Sequence, residues 1–101
     1  MAVRAALERR RIFDNLESYL RMAKEVARKL DPSAEVYIFG SAAEGRSVYS
    51  SDIDVLIATK VEPAKVLMEL WRAGVKDPFE IHVQPPERVS LYRGRAKLVE
   101  I

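Results

Sequence analysis

The stretch Asp52-Ile53-Asp54-Val55-Leu56-Ile57-Ala58-Thr59 restricts the possible folds of this chain more than any other. Its period of two and its β-branched residues mark a strand, with Ile53, Val55 and Ile57 on one face and Asp52, Asp54 and Leu56 on the other. The first face demands burial beneath other elements. The second opens with two carboxylates, which suit a strand poorly unless solvent at a sheet end or a divalent cation compensates them.

The surrounding segments supply what such a strand needs. From Ala2 to Leu30, apolar residues recur at three- and four-residue steps (Ile12, Leu16, Tyr19, Leu20, Ala23, Val26, Ala27, Leu30), which predicts one long helix ended by Asp31-Pro32. Ala34 to Phe39 reads as a strand running into Gly40-Ser41, and Ala42 to Ser50 as a short helical turn followed by a loop. Pro63 suits the first turn of a helix with Val66, Leu67, Leu70 and Trp71 on its apolar face, and Gly74 its stop. A third strand after Asp77-Pro78 turns Phe79, Ile81 and Val83 one way and Glu80 and His82 the other. Beyond Pro85-Pro86, Arg88 to Tyr92 fits a helical turn and Ala96 to Ile101 a last strand. The expectation is an α+β fold, a small mixed β-sheet with helices packed on one face. At 101 residues, 1–101 reads as a single domain.

Composition removes several chemistries. Without cysteine there are no disulfides, thiolate-bound zinc or cysteine nucleophiles, and the lone His82 makes no histidine cluster. No apolar run approaches the ~20 residues that cross a bilayer, and no signal peptide is evident, so a cytoplasmic location without membrane contact is expected. Charge is segregated. Residues 1–30 have a basic excess and residues 31–60 an acidic one, which suits a metal site in the middle of the chain. Nucleic acid is a conceivable partner of the basic segment, but Arg9, Arg10 and Arg11 read more simply as a solvated helix face. Arg93, Arg95 and Lys97 likewise read as ordinary charged surface, and Tyr19, Tyr37 and Trp71 as core residues.

The chemistry lies in two spacings. Carboxylates at i and i+2 of a strand project from one face with Cα atoms roughly 6–7 Å apart, near enough to share a metal or a metal pair. If the third strand lies beside the second, Glu80 joins Asp52 and Asp54. Gly40 permits a sharp turn, and free amides at Ser41 would bind a phosphate. An acidic cluster beside a phosphate cradle makes sense when cations bridge the two.

Ile38-Phe39-Gly40-Ser41, ten further residues, then Asp52-Ile53-Asp54 resembles the signature of the DNA polymerase beta-like nucleotidyltransferase superfamily. The string FGSAAEGRSVYSSDIDVLI, Phe39 to Ile57, looks like the archaeal and bacterial minimal nucleotidyltransferases, often encoded beside a HEPN-domain protein. The resemblance spans about Glu35 to Val83. It implies a polymerase beta-like fold and two Mg²⁺ ions held by Asp52, Asp54 and Glu80. It also implies a nucleoside triphosphate, ATP above all, bound at Gly40 and Ser41 with Arg46 and Ser51 at hand. Transfer of AMP to a hydroxyl, with a tyrosine of a HEPN partner as one such acceptor, would release pyrophosphate. The sequence departs from many relatives in having Ala42, Ala43 and Glu44 where an arginine often stands, and a glutamate at 80 where aspartate is more usual. Two other readings stay open: an antitoxin-type module that neutralises a HEPN partner by binding alone, and a homo-oligomer. A phosphatase using Asp-x-Asp fits less well, because here the apolar run Val55 to Ala58 follows the aspartates rather than preceding them.

Overall fold

A computed structural model of the chain describes residues 2–45 and 52–101, with side chains from residue 6 onward. The predicted N-terminal helix is two helices, α1 (Ala2–Asp14) and α2 (Leu16–Leu30). Asn15 divides them. Its backbone leaves the helical region at φ −120° and ψ 29°, and its side-chain Nδ2 donates to the Arg11 carbonyl at 2.8 Å. A short amide side chain that competes for backbone partners ends a helix in just this way, and hydrophobic periodicity does not register it.

The strands are β1 (Glu35–Phe39), β2 (Ile53–Ala58), β3 (Phe79–Gln84) and β4 (Leu98–Glu100), in the spatial order β3-β2-β1-β4. β1 pairs antiparallel with both β2 and β4, and β2 pairs parallel with β3. Parallel neighbours need a crossover, here α3 (Pro63–Arg72), which starts on Pro63 and stops at Gly74. Gly74 adopts φ 97°, which lets the Val75 amide reach back to the Leu70 carbonyl at 2.9 Å.

β2 lies inside the sheet, and its apolar face is the core. Ile53, Val55 and Ile57 are fully buried with Val36 beneath Leu20, Ala23 and Ala27 of α2 and Val66 and Leu70 of α3. The alanines let α2 approach the sheet closely. At the far end of β2, Thr59 Oγ1 donates to Asp31 Oδ2 at 2.6 Å, tying the strand to the end of α2. That bond, followed by one from the Ser33 amide, holds the Asp31 carboxyl below its ordinary range.

Helices α2 and α3 therefore cover one face, as the pattern predicts for this α+β fold. The opposite face has a partial cover: Tyr37, Leu56 and Ala58 pack with Val89 of the short α4 (Val89–Arg93), which a 3₁₀ turn at Pro86–Arg88 introduces. Trp71 corrects the expectation of a core position. It is 52% exposed and Leu67 is 42% exposed, whereas Val66 and Leu70 are buried. β3 is the outer strand, so the flank of α3 that bears Leu67 and Trp71 overhangs the sheet edge, where Lys76 Nζ sits 5.1 Å from the Trp71 ring centre. Tyr37 is buried, but in the cluster beneath α4 rather than under α2.

Leu70 fills the space between α3 and the sheet with no exposure. Replacing it with alanine leaves a cavity and should lower unfolding stability by about 2–5 kcal/mol, read from urea denaturation midpoints at unchanged slope.

Candidate active site

Register assembles the site. Phe39 of β1 stands opposite Asp54 of β2, which stands opposite Glu80 of β3, so these three residues form one row across the sheet. The next row on the same face is Tyr37, Leu56 and His82. This face points away from α2 and α3; in the upper row Phe39 packs against Tyr92 of α4, while Asp54 and Glu80 lie outside that apolar cluster.

Three groups converge there. Oxygen atoms of Asp54 and Glu80 and a ring nitrogen of His82 lie within 4.8 Å of one another. His82 Nε2 is 3.8 Å from Asp54 Oδ1 and 3.6 Å from Glu80 Oε1, beyond hydrogen-bonding distance in both cases. The same nitrogen is buried and has no hydrogen-bond partner. The imidazole is held edge-on between Phe39 and Tyr92, with ring centres 5.0 and 6.1 Å away. Burial raises the Asp54 carboxyl above its ordinary range, Glu80 and then Asp52 push the same way, and His82 opposes them.

Gly40 adjoins this cluster for a steric reason. Its φ is 71°, a conformation that side chains rarely adopt, and a Cβ there would stand 2.8 Å from Asp54 Oδ2. The residues after it form a single turn closed by the Glu44 amide on the Gly40 carbonyl at 3.2 Å. This is less than the helix start expected at Ser41. The amides of Ser41, Ala42 and Ala43 nevertheless take no acceptor among the described residues.

The other expected site residues are placed less centrally. Asp52 precedes β2 and is outside the converging trio; its side chain is 55% exposed and lies 3.9 Å from Arg9 Nη2. Arg46 and Ser51 fall outside the described residues, as does the loop through Tyr49. Arg9 is not the solvated side chain that its run of arginines suggests. It is half-buried and reaches Asp77 at 3.4 Å as well as Asp52. Nothing in the helical period of α1 signals that contact. His82 had a signal, since it shares the Glu80 face by simple alternation. Tyr92 had none, because its approach depends on where α4 docks.

Two carboxylates and an imidazole within ligand distance, with an orphaned nitrogen and a carboxyl that resists ionisation, are what a divalent cation would relieve. The donor set therefore fits a bound metal. A mixed sheet with a carboxylate row beside a strand-to-turn glycine is the arrangement that the sequence resemblance implies. The chain belongs to the nucleotidyltransferase domain family, whose model matches residues 20–97. It is a minimal nucleotidyltransferase, and nucleotidyl transfer from a nucleoside triphosphate is its general activity.

Solved structures agree. One crystal structure of a candidate nucleotidyltransferase is 27% identical with TM-score 0.59, covering 80% of this chain and 95% of that one. A second, from Sulfolobus solfataricus, is 26% identical with TM-score 0.50 over 95% of this chain and 85% of that one. No curated protein matches the chain. No helix among the described residues is long and apolar enough to cross a membrane.

Two substitutions examine the geometry. Gly40→Ala should cost about 1–2 kcal/mol from the left-handed backbone alone and displace the Asp54 carboxylate, seen as a lower melting temperature together with weakened divalent-cation binding. Because the folded state raises the Asp54 pKa, the stability tied to its protonated form is present at low pH and lost as pH rises through the folded value. In EDTA, Asp54→Asn should thus melt above the wild type at pH 7, and the gap should close on acidification.

Proposed function

We propose that this protein is a Mg²⁺-dependent adenylyltransferase that moves AMP from ATP to a hydroxyl on a partner protein, a tyrosine of a HEPN-domain protein being the acceptor most consistent with its resemblance. The observation that carries this reading is the row Asp54 and Glu80 with the partnerless His82 nitrogen, set directly against Gly40.

Each residue has a definable task. Asp54 and Glu80, joined by Asp52 from the strand entrance, would hold the metal; their carboxylate oxygens are the hard donors that Mg²⁺ prefers. Mg²⁺, when bound, neutralises the polyphosphate and stabilises charge on the entering and leaving oxygens. Gly40 leaves room for the phosphate tail beside Asp54, and the free amides of Ser41, Ala42 and Ala43 would donate to it. Arg46 and Ser51 are assigned to the same tail by their place in the motif. Glu80 accepts the proton of the incoming hydroxyl as its oxygen bonds to the α-phosphorus and the bond to pyrophosphate breaks. His82, held by Phe39 and Tyr92, would offer its partnerless ring nitrogen as a further donor beside the two carboxylates.

The test is to incubate the protein with Mg²⁺, α-labelled ATP and a HEPN-domain protein from the same organism. Label should appear on a partner tyrosine with release of pyrophosphate. It should vanish in EDTA and fall at least about 100-fold in Asp54→Ala, the scale of losing one electrostatic stabiliser of a transition state. No labelled product with any nucleoside triphosphate would overturn the enzymatic reading. Neutralisation of the partner that survives Asp52→Ala and Asp54→Ala together, without labelling, would favour the binding-module alternative.

A further inference from the structure

Beside the carboxylate row, on the same face of the sheet, is a cavity of about 440 Å³ between β3 and the segment that carries α4. Phe39, His82, Gln84, Arg88, Tyr92 and Arg95 contribute to its lining. Of these the proposed reaction uses only His82, with Phe39 and Tyr92 fixing its ring. The cavity's size is that of a small-molecule site. We infer that this cavity receives the base of the nucleoside triphosphate, and that it selects adenine.

Four observations converge on a flat heterocycle rather than on a phosphate or an aliphatic group. First, the wall is aromatic: Phe39 lies edge-on to His82 and to Tyr92, with ring centres 5.0 and 5.5 Å apart, so ring faces and edges are already fixed by packing. Preset aromatic surfaces bind bases by stacking at little entropic cost. Second, the half-buried side-chain amide of Gln84 forms no hydrogen bond among the described residues. An amide offers one donor and one acceptor side by side, the complement of the adenine N6 and N7 edge, whereas a phosphate would leave its acceptor unused.

Third, the exposed guanidinium groups of Arg88 and Arg95 make no ion pair among the described residues and stand free to stack on a base. Fourth, the position suits the length of a nucleotide. His82 and Gln84 follow Glu80 at two-residue steps along β3, so the cavity lies roughly 7–13 Å along the strand from the metal-binding carboxylate. A ribose with its α-phosphate spans that interval. The C-terminal segment thereby acquires a function: α4 closes the cavity from above, and Tyr92 on it gives the base a stacking surface.

This assignment rests on triphosphate binding at the carboxylate row, and the test separates the two. Binding of Mg-ATP, Mg-GTP, Mg-CTP, Mg-UTP and base-free Mg-tripolyphosphate is measured by calorimetry. ATP should bind at least about 10-fold more tightly than tripolyphosphate and more tightly than CTP or UTP. Gln84→Ala, which removes an amide that bonds to nothing among the described residues, should reduce ATP affinity several-fold and leave tripolyphosphate affinity unchanged. If ATP and tripolyphosphate bind equally, or if ATP binding is indifferent to Gln84→Ala, the base pocket is refuted while the triphosphate site stands. Mg-GTP or a pyrimidine triphosphate that binds as tightly as ATP also refutes it. Failure of every triphosphate, tripolyphosphate included, would refute the proposed function itself.

Discussion

The parallel pairing of β2 with β3 is the constraint on which the rest of this structure depends. In the observed register Asp54 faces Glu80, and Ile53, Val55 and Ile57 turn together towards α2 and α3. Because side chains alternate, a slip of one residue would send Asp54 beneath the helices and expose the isoleucines. The penalty for burying that carboxylate and the loss of the apolar contacts act in the same direction, so the core and the site specify one register jointly. Fold stability and site assembly are therefore not separate achievements of this chain.

The same sheet serves two media. Its lower face is dry, packed by Leu20, Ala23, Val66 and Leu70. Its upper face is divided: near α4 it is apolar, with Tyr37, Leu56, Ala58 and Val89, and beyond that it becomes a row of ionisable groups. The apolar half limits water around the ionisable half, which is why burial is the first cause of the raised Asp54 pKa. Burial that disfavours the bare carboxylate also favours a cation placed beside it. Family membership and the two solved relatives place this arrangement among the nucleotidyltransferases.

Elements whose identity depends on local chemistry were the most legible. Strand alternation located β1, β2 and β3 to within a residue or two, and Pro63 and Gly74 bracketed α3. The reading of a single N-terminal helix failed at Asn15 because its apolar period continues across a break made by a side-chain hydrogen bond. Trp71 was misplaced for a different reason: helical spacing says which residues share a face, but not how wide a sheet lies beneath it.

The sequence by itself determined the chemistry available to this protein. It has no cysteine, so it works with oxygen donors and one imidazole; its Gly40-Ser41 and Asp52-Ile53-Asp54 spacing sets a turn and a carboxylate pair at a recognisable interval. Only the tertiary structure decided which of those groups meet. It brought Glu80 and His82 to Asp54, turned Asp52 towards Arg9 on α1, and set Tyr92 against Phe39 and His82. Alternation and propensity act between near neighbours along the chain. Contacts between residues far apart in the chain, such as Arg9 with Asp77 or Phe39 with Tyr92, arise only once strand order and helix docking are settled, and no local pattern encodes them.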